Sequence, residues 1–208
     1  MIPAQEALQR LRDGNRRFTE HIGSAEADLR QRRRAVLPQD QLPFAIVLGC
    51  SDARVPAELV FDQGLGDLFV IRVAGNIVAP SQIGSVEFAA SRFNTRLVIV
   101  LGHSQCGAIE ATLEELQRPA ENQSRNLRSI VDRVRPSVEV LLRTELANDR
   151  EKLLLHAVRA NVALSVSHLR HGSEVLEELI RNEGLRIVGA EYSLTTGVVE
   201  FFDDGTLK

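Results

Sequence analysis

Four short runs of this chain are apolar at nearly every consecutive residue, and they constrain its fold more tightly than any other feature. They are Phe44-Ala45-Ile46-Val47-Leu48, Leu68-Phe69-Val70-Ile71-Arg72-Val73, Leu97-Val98-Ile99-Val100-Leu101 and Leu185-Arg186-Ile187-Val188-Gly189-Ala190. A strand with one wetted face alternates apolar and polar residues, whereas a strand covered on both faces does not. Helical periodicity fills the intervals, over about 82–94, 107–118, 124–145, 150–170 and 173–183. Strands alternating with helices predict an α/β fold: a mostly parallel central sheet of four strands, flanked by helices. A further run, Val198-Val199-Glu200-Phe201-Phe202, follows the turn residues Thr195-Thr196-Gly197. It predicts a hairpin with the fourth strand and hence an antiparallel strand at the edge.

Ahead of the sheet, Ala4, Ala7, Leu8, Leu11 and Phe18 recur with a helical period, and Ser24 could cap a second helix over about 25–36. Their apolar face is narrow, so this pair is expected to pack on another surface. With 208 residues and no linker or repeat, the chain reads as a single domain: a helical arm over 1–36 and an α/β core over 43–208. A net charge of −3 argues against nucleic acid or an anionic membrane as partner. The short basic run Arg30-Gln31-Arg32-Arg33-Arg34 reads as a solvated helix face. The polar opening residues do not read as a secretory signal, and no apolar stretch approaches the ~20 residues of a membrane span. A reducing cytoplasm is the expected compartment, where cysteines serve metals more readily than disulfides.

The chain has two cysteines, and each stands just past an apolar run. Cys50 opens Cys50-Ser51-Asp52-Ala53-Arg54 after Gly49; Cys106 closes His103-Ser104-Gln105-Cys106 after Gly102. In open α/β sheets ligands bind beyond the carboxyl ends of the strands. If the first and third strands are neighbours, Cys50, His103 and Cys106 meet at one point. Two thiolates and one imidazole with a fourth position left variable is a pattern of catalytic zinc. Asp52 can fill that fourth position or accept a hydrogen bond beside it, and Arg54 can hold the carboxylate in a bidentate pair.

Cys50-Ser51-Asp52-Ala53-Arg54-Val55-Pro56, Arg72-Val73-Ala74-Gly75-Asn76 and His103-Ser104-Gln105-Cys106-Gly107 together resemble the β-class carbonic anhydrases, in order and over nearly the whole chain. The resemblance implies one Zn²⁺ per chain on Cys50, His103 and Cys106, with Asp52 and Arg54 as the catalytic dyad. It implies a carbonate dehydratase, interconverting CO₂ and bicarbonate by attack of zinc-bound hydroxide that Asp52 orients. Asp52 would be a fourth ligand only in a closed state. The resemblance also implies a homo-oligomer, a dimer or a dimer of dimers, with N-terminal helices embracing a partner subunit and active sites at the dimer interface. Gln41, Phe69, Ala74, Phe88 and Gly107 fall on substrate-pocket positions. Val47, Arg72 and Tyr192 fall on a regulatory bicarbonate pocket that elsewhere carries a tryptophan. This chain has no tryptophan, so that pocket is incomplete and the open state is expected.

Other functions on the same residues are a hydrolase of CS₂ or COS, a protein in which zinc only staples the fold, and a thiol redox protein. The staple does not need the Asp52–Arg54 pair, and the redox reading lacks a Cys-x-x-Cys motif. His168 and His171, three apart near a helix end, read as ordinary C-terminal cations, and His21 and His156 have no inferable partners. Two thiolates neutralise the formal charge of Zn²⁺, so water at this site should be less acidic than at a three-histidine site. CO₂ hydration is therefore expected to rise toward alkaline pH; a rate that stays flat from about pH 6 to about pH 9 contradicts it.

Overall fold

The computed structural model describes residues 2–20, 41–118 and 124–202. The expected second helix with its Ser24 cap, the basic run and His21 lie outside the described residues. Helix α1 (Ala4–Glu20) leads to β1 (Ala45–Gly49), the short α2 (Ala57–Val60), β2 (Leu68–Arg72), a 3₁₀ turn (Ala74–Asn76) and α3 (Pro80–Arg92). Then come β3 (Leu97–His103), α4 (Gly107–Gln117), α5 (Arg125–Val138), two 3₁₀ turns, α6 (Arg150–His171), α7 (Glu174–Asn182), β4 (Arg186–Tyr192) and β5 (Val199–Phe202). The expected helix over 124–145 stops at Val138, two residues after Pro136, whose ring removes a donor from the ladder. The expected α3 begins earlier than its period suggested, with Pro80 in the first turn, where no N–H is needed.

The strand order is β2-β1-β3-β4-β5. β1 pairs in parallel with β2 and β3, β3 pairs in parallel with β4, and β5 closes antiparallel on β4, as the apolar runs predict. From β1 the chain turns to β2 on one side, and from β3 it turns to β4 on the other. The carboxyl ends of β1 and β3 therefore flank the crevice where connections diverge, which is where such sheets bind ligands.

The strands bury both faces because successive side chains point opposite ways. Val47, Ile99, Leu101, Val188 and Ala190 face α1 and α2, meeting Leu8, Leu11, Val60 and Phe61. Ile46, Leu48, Val98, Val100 and Ile187 face the opposite layer, meeting Val86 of α3, Val162 and Leu169 of α6 and Leu176 of α7. A third cluster caps the carboxyl ends of the strands: Ile109 and Leu113 of α4, Val134 and Val138 of α5, and Leu153, Ala157 and Val158 of α6 surround Cys50 and Cys106.

One expectation changes here. β2 is a sheet edge, and Phe69, Val70 and Ile71 stay half-buried within the chain, so its continuous apolar run does not reflect cover on both faces. As its narrow apolar stripe predicts, α1 packs on another surface, that of its own sheet, where Ala7 and Leu11 are fully buried. Gly14 lets α1 approach so closely that a Cβ there would stand 1.8 Å from the Phe61 carbonyl oxygen. No helix among the described residues is long and apolar enough to cross a membrane. Leu11→Ala is expected to cost about 2–5 kcal/mol by cavity formation, read from the denaturant midpoint. Since Leu11 packs within its own chain, the loss should be the same at low and high protein concentration.

Candidate metal centre

Cys50 is the first residue after β1, and His103 is the last of β3, paired with Tyr192 of β4. Gly49 pairs with Leu101 across the two strands, which sets the two motifs side by side. Gln105 takes a left-handed backbone conformation (φ 55°) and turns the chain so that Cys106 falls back toward His103 before α4 begins. The Sγ atoms of Cys50 and Cys106 stand 3.9 Å apart, and one ligand atom from each of Cys50, His103 and Cys106 lies within 4.8 Å of the others. Both cysteines are free thiols. Two sulfurs sharing a tetrahedral ion at about 2.3 Å would be about 3.8 Å apart, so the spacing fits zinc.

Tautomer and dipoles favour a metal as well. His103 Nδ1 meets the Ser104 carbonyl at 2.9 Å, which fixes the proton on that nitrogen and leaves Nε2 as the acceptor. Nε2 is buried and has no hydrogen-bond partner. A buried imidazole lone pair without a donor is costly, and a metal ion satisfies it. The Gly75 N–H donates to Cys50 Sγ at 3.4 Å, and amides of the first turn of α4, at Ala108 and Ile109, point at the Cys106 sulfur. These donors favour thiolates.

The two sulfurs are within hydrogen-bond reach of each other. The hydrogen bond from Cys106 pulls Cys50 down to about 4, against the opposing effect of burial. Cys106 is pushed up in turn by that same bond and then by burial. Burial works against the His103 imidazolium, but the Cys50 sulfur and the Ser104 carbonyl outweigh it and raise its pKa.

Asp52 sits at the rim. Arg54 Nε donates to its Oδ1 at 2.9 Å, Arg54 Nη2 donates to its Oδ2 at 2.7 Å, and the Arg54 N–H adds a third bond at 3.0 Å. The Arg54 fork holds the Asp52 carboxyl well below the usual carboxylate range. Oδ2 lies 3.9 Å from His103 Nε2, beside the cluster and outside its 4.8 Å group.

A family profile described as carbonic anhydrase matches residues 45–199. The chain belongs to the β-carbonic anhydrases. It is 39% identical over 196 residues to a carbonic anhydrase of Mycolicibacterium smegmatis, covering 93% of this chain and 91% of that one. It is 37% identical over 195 residues to carbonic anhydrase 2 of Mycobacterium tuberculosis, covering 92% and 89%. Among solved structures, the β-carbonic anhydrase CcaA superposes with a TM-score of 0.71 at 28% identity, covering 95% of this chain and 88% of that one. β-Carbonic anhydrases are zinc-dependent lyases, and the cluster of Cys50, His103 and Cys106 is able to hold a metal ion.

The pocket positions implied by the resemblance do not all gather around this β-carbonic anhydrase's own cluster. The turn carrying Ala74 touches the start of α4 beside Gly107, since a Cβ on Gly75 would stand 3.2 Å from the Ala108 Cβ. Phe69 and Phe88 are instead in contact with each other, ring centroids 6.2 Å apart, and Phe93 completes the trio. Phe69 pairs with Ile46 and Arg72 with Gly49, so Phe69 lies three residues, or about 10 Å, from the carboxyl end of the sheet. Gln41 precedes the amino end of β1, opposite Cys50. Of the regulatory-pocket positions, Val47 is core beneath the sheet. Arg72 donates through Nε to the Cys50 carbonyl at 3.0 Å and through Nη2 to the Asp52 carbonyl, clamping the metal loop.

That clamp and the Gly75 amide were not read from the sequence. Their signals were a charged residue closing an apolar strand and a glycine three positions after it, and neither is specific alone. Because the pKa values of Cys106 and His103 are both pushed up, a divalent metal must displace protons on binding. Titrating the metal-free protein with Zn²⁺ in buffers of different ionisation heat should reveal proton release, and the affinity should fall as pH is lowered.

Proposed function

We propose that this chain hydrates CO₂ reversibly to bicarbonate and a proton, with one Zn²⁺ held by Cys50, His103 and Cys106. The observation that carries the reading is the buried cluster of two sulfurs and an unpartnered imidazole nitrogen, with a carboxylate already fixed at its rim. Zn²⁺, when bound, supplies a Lewis acid that makes hydroxide available near neutral pH.

The chain's own residues do the rest. Asp52 stays ionised because the Arg54 fork holds its proton affinity down, so it can only accept hydrogen bonds. An acceptor at this place takes a hydrogen bond from the attacking oxygen and so aims its lone pair at carbon. Arg54 uses both of its fork nitrogens on Asp52, which keeps the carboxylate turned toward the pair and favours the open state over ligation. Arg72 fixes the loop that carries both Cys50 and Asp52. The apolar bed from α4, α5 and α6 lowers the local dielectric, which strengthens each of these contacts. Ala74 and Gly107 line the approach for CO₂.

Gln41, Phe69 and Phe88 serve a partner's centre in this reading. Phe88 is 54% exposed, and together with Phe69 and Phe93 it forms an apolar patch beside the open β2 edge. A second copy covering this edge would bring those residues to its own metal centre, and a dimer or a dimer of dimers follows. Buried free thiols 3.9 Å apart support a reducing compartment such as the cytoplasm.

Stopped-flow CO₂ hydration should be lost on chelation and restored by Zn²⁺. Asp52→Asn keeps the shape but loses the obligate acceptor, so it should cut turnover by about 100-fold or more. Its zinc content should stay near one per chain; loss of the metal would instead make Asp52 a ligand.

A further inference from the structure

We infer that Asn161 and Ser165 of α6 are positioning residues for the metal centre, holding the Ala74–Asn76 turn in the shape that aims the Gly75 N–H at the Cys50 sulfur. The inference rests on the reading of Cys50, His103 and Cys106 as a zinc site.

The turn places two consecutive residues in the left-handed region, Gly75 at φ 67° and Asn76 at φ 42°. Glycine accepts that conformation freely, but a residue with a Cβ does so only when its surroundings impose it. The turn's own hydrogen bond, Asn76 N–H to the Val73 carbonyl at 3.0 Å, leaves the carbonyls of Gly75 and Asn76 facing the interior. Both are met from α6. Asn161 Nδ2 donates to the Gly75 carbonyl at 2.8 Å, and Ser165 Oγ donates to the Asn76 carbonyl at 3.0 Å.

Asn161 and Ser165 are four apart, so they lie on one face of the helix. They are 2% and 3% exposed, and the flanking Val158, Val162 and Val166 are also buried. Solvent cannot replace either donor there. Asn76 does not hold itself, because its own Nδ2 is buried without a partner. The far side of the turn is wedged against α4, where a Cβ on Gly75 would meet Ala108. Two anchors on α6 and one wall on α4 thus fix a turn whose amide donates to a metal-binding sulfur at 3.4 Å. A donor to a ligand sulfur orients the ligand before the metal arrives, and removing such outer partners elsewhere weakens metal binding.

The test compares Asn161→Ala and Ser165→Ala with Asn15→Ala, all as full-length protein. Asn15 is the control: it is equally buried and holds α1 through bonds to Val60, Gly197 and Val199 that do not touch the turn. Zinc affinity is measured by competition with a chromophoric chelator, and the thiolate-to-metal charge-transfer band is read after Co²⁺ substitution. Asn161→Ala is expected to weaken zinc binding about 10–100-fold and shift the cobalt band, and Ser165→Ala to do so less, in the same direction. Asn15→Ala should lower Tm and leave both readouts unchanged. The inference is overturned if Asn161→Ala and Ser165→Ala lower Tm but keep zinc affinity within about twofold and the cobalt band unmoved. If Asn161→Ala does not fold, Ser165→Ala decides by the same two readouts. A wild-type chain that takes up neither zinc nor cobalt overturns the metal-site reading itself, and this inference with it.

Discussion

The parallel pairing of β1 with β3 is the constraint on which the rest depends. It sets Gly49 opposite Leu101 and so places Cys50 within reach of His103, although the two are far apart in the chain. A slip of one residue in this register would exchange the two faces of β1 and send Ile46 and Leu48 toward α1. The register is held because both faces are buried, by α1 and α2 below and by α3, α6 and α7 above. The ligand geometry is thereby inherited from core packing rather than from the loops that carry it.

Around that fixed pair, the centre is assembled from backbone more than from side chains. Amides from the Ala74–Asn76 turn and from the first turn of α4 address the two sulfurs, a carbonyl sets the tautomer of His103, and Arg72 grips two carbonyls of the Cys50 loop. Backbone groups held by secondary structure reorganise little, which suits a centre that must keep one position open for chemistry. The side-chain pair of Asp52 and Arg54 lies at the surface, with Arg54 more than half exposed.

Most of the fold was legible in the sequence because burial on both faces of a parallel strand writes an unmistakable apolar run. The same signal misled at β2, where the run is as apolar as the others but the strand is an edge. Composition alone does not distinguish cover by helices from a face left for another chain. The cluster of Cys50, His103 and Cys106 was legible because thiols and imidazole are scarce and stood at strand ends. Asn161 and Ser165 were not, since polar residues on a mostly apolar helix acquire a meaning only once the turn they address is known. Gln41 and Phe88 took their role from family resemblance alone, and within the single chain they lie away from its own cluster.

The order of the elements along the chain has a consequence for biosynthesis. Cys50, His103, Cys106 and Asp52 all precede Gly107, so a nascent chain carries the whole candidate cluster once Cys106, just past β3, has emerged. The apolar bed around the sulfurs and both anchors of the Ala74–Asn76 turn come from α5 and α6, which are made later. Until those helices are made, the cover they give the two sulfurs is absent. Completion of α6 thus brings the last of the cover over Cys50 and Cys106 together with both anchors of the turn beside them.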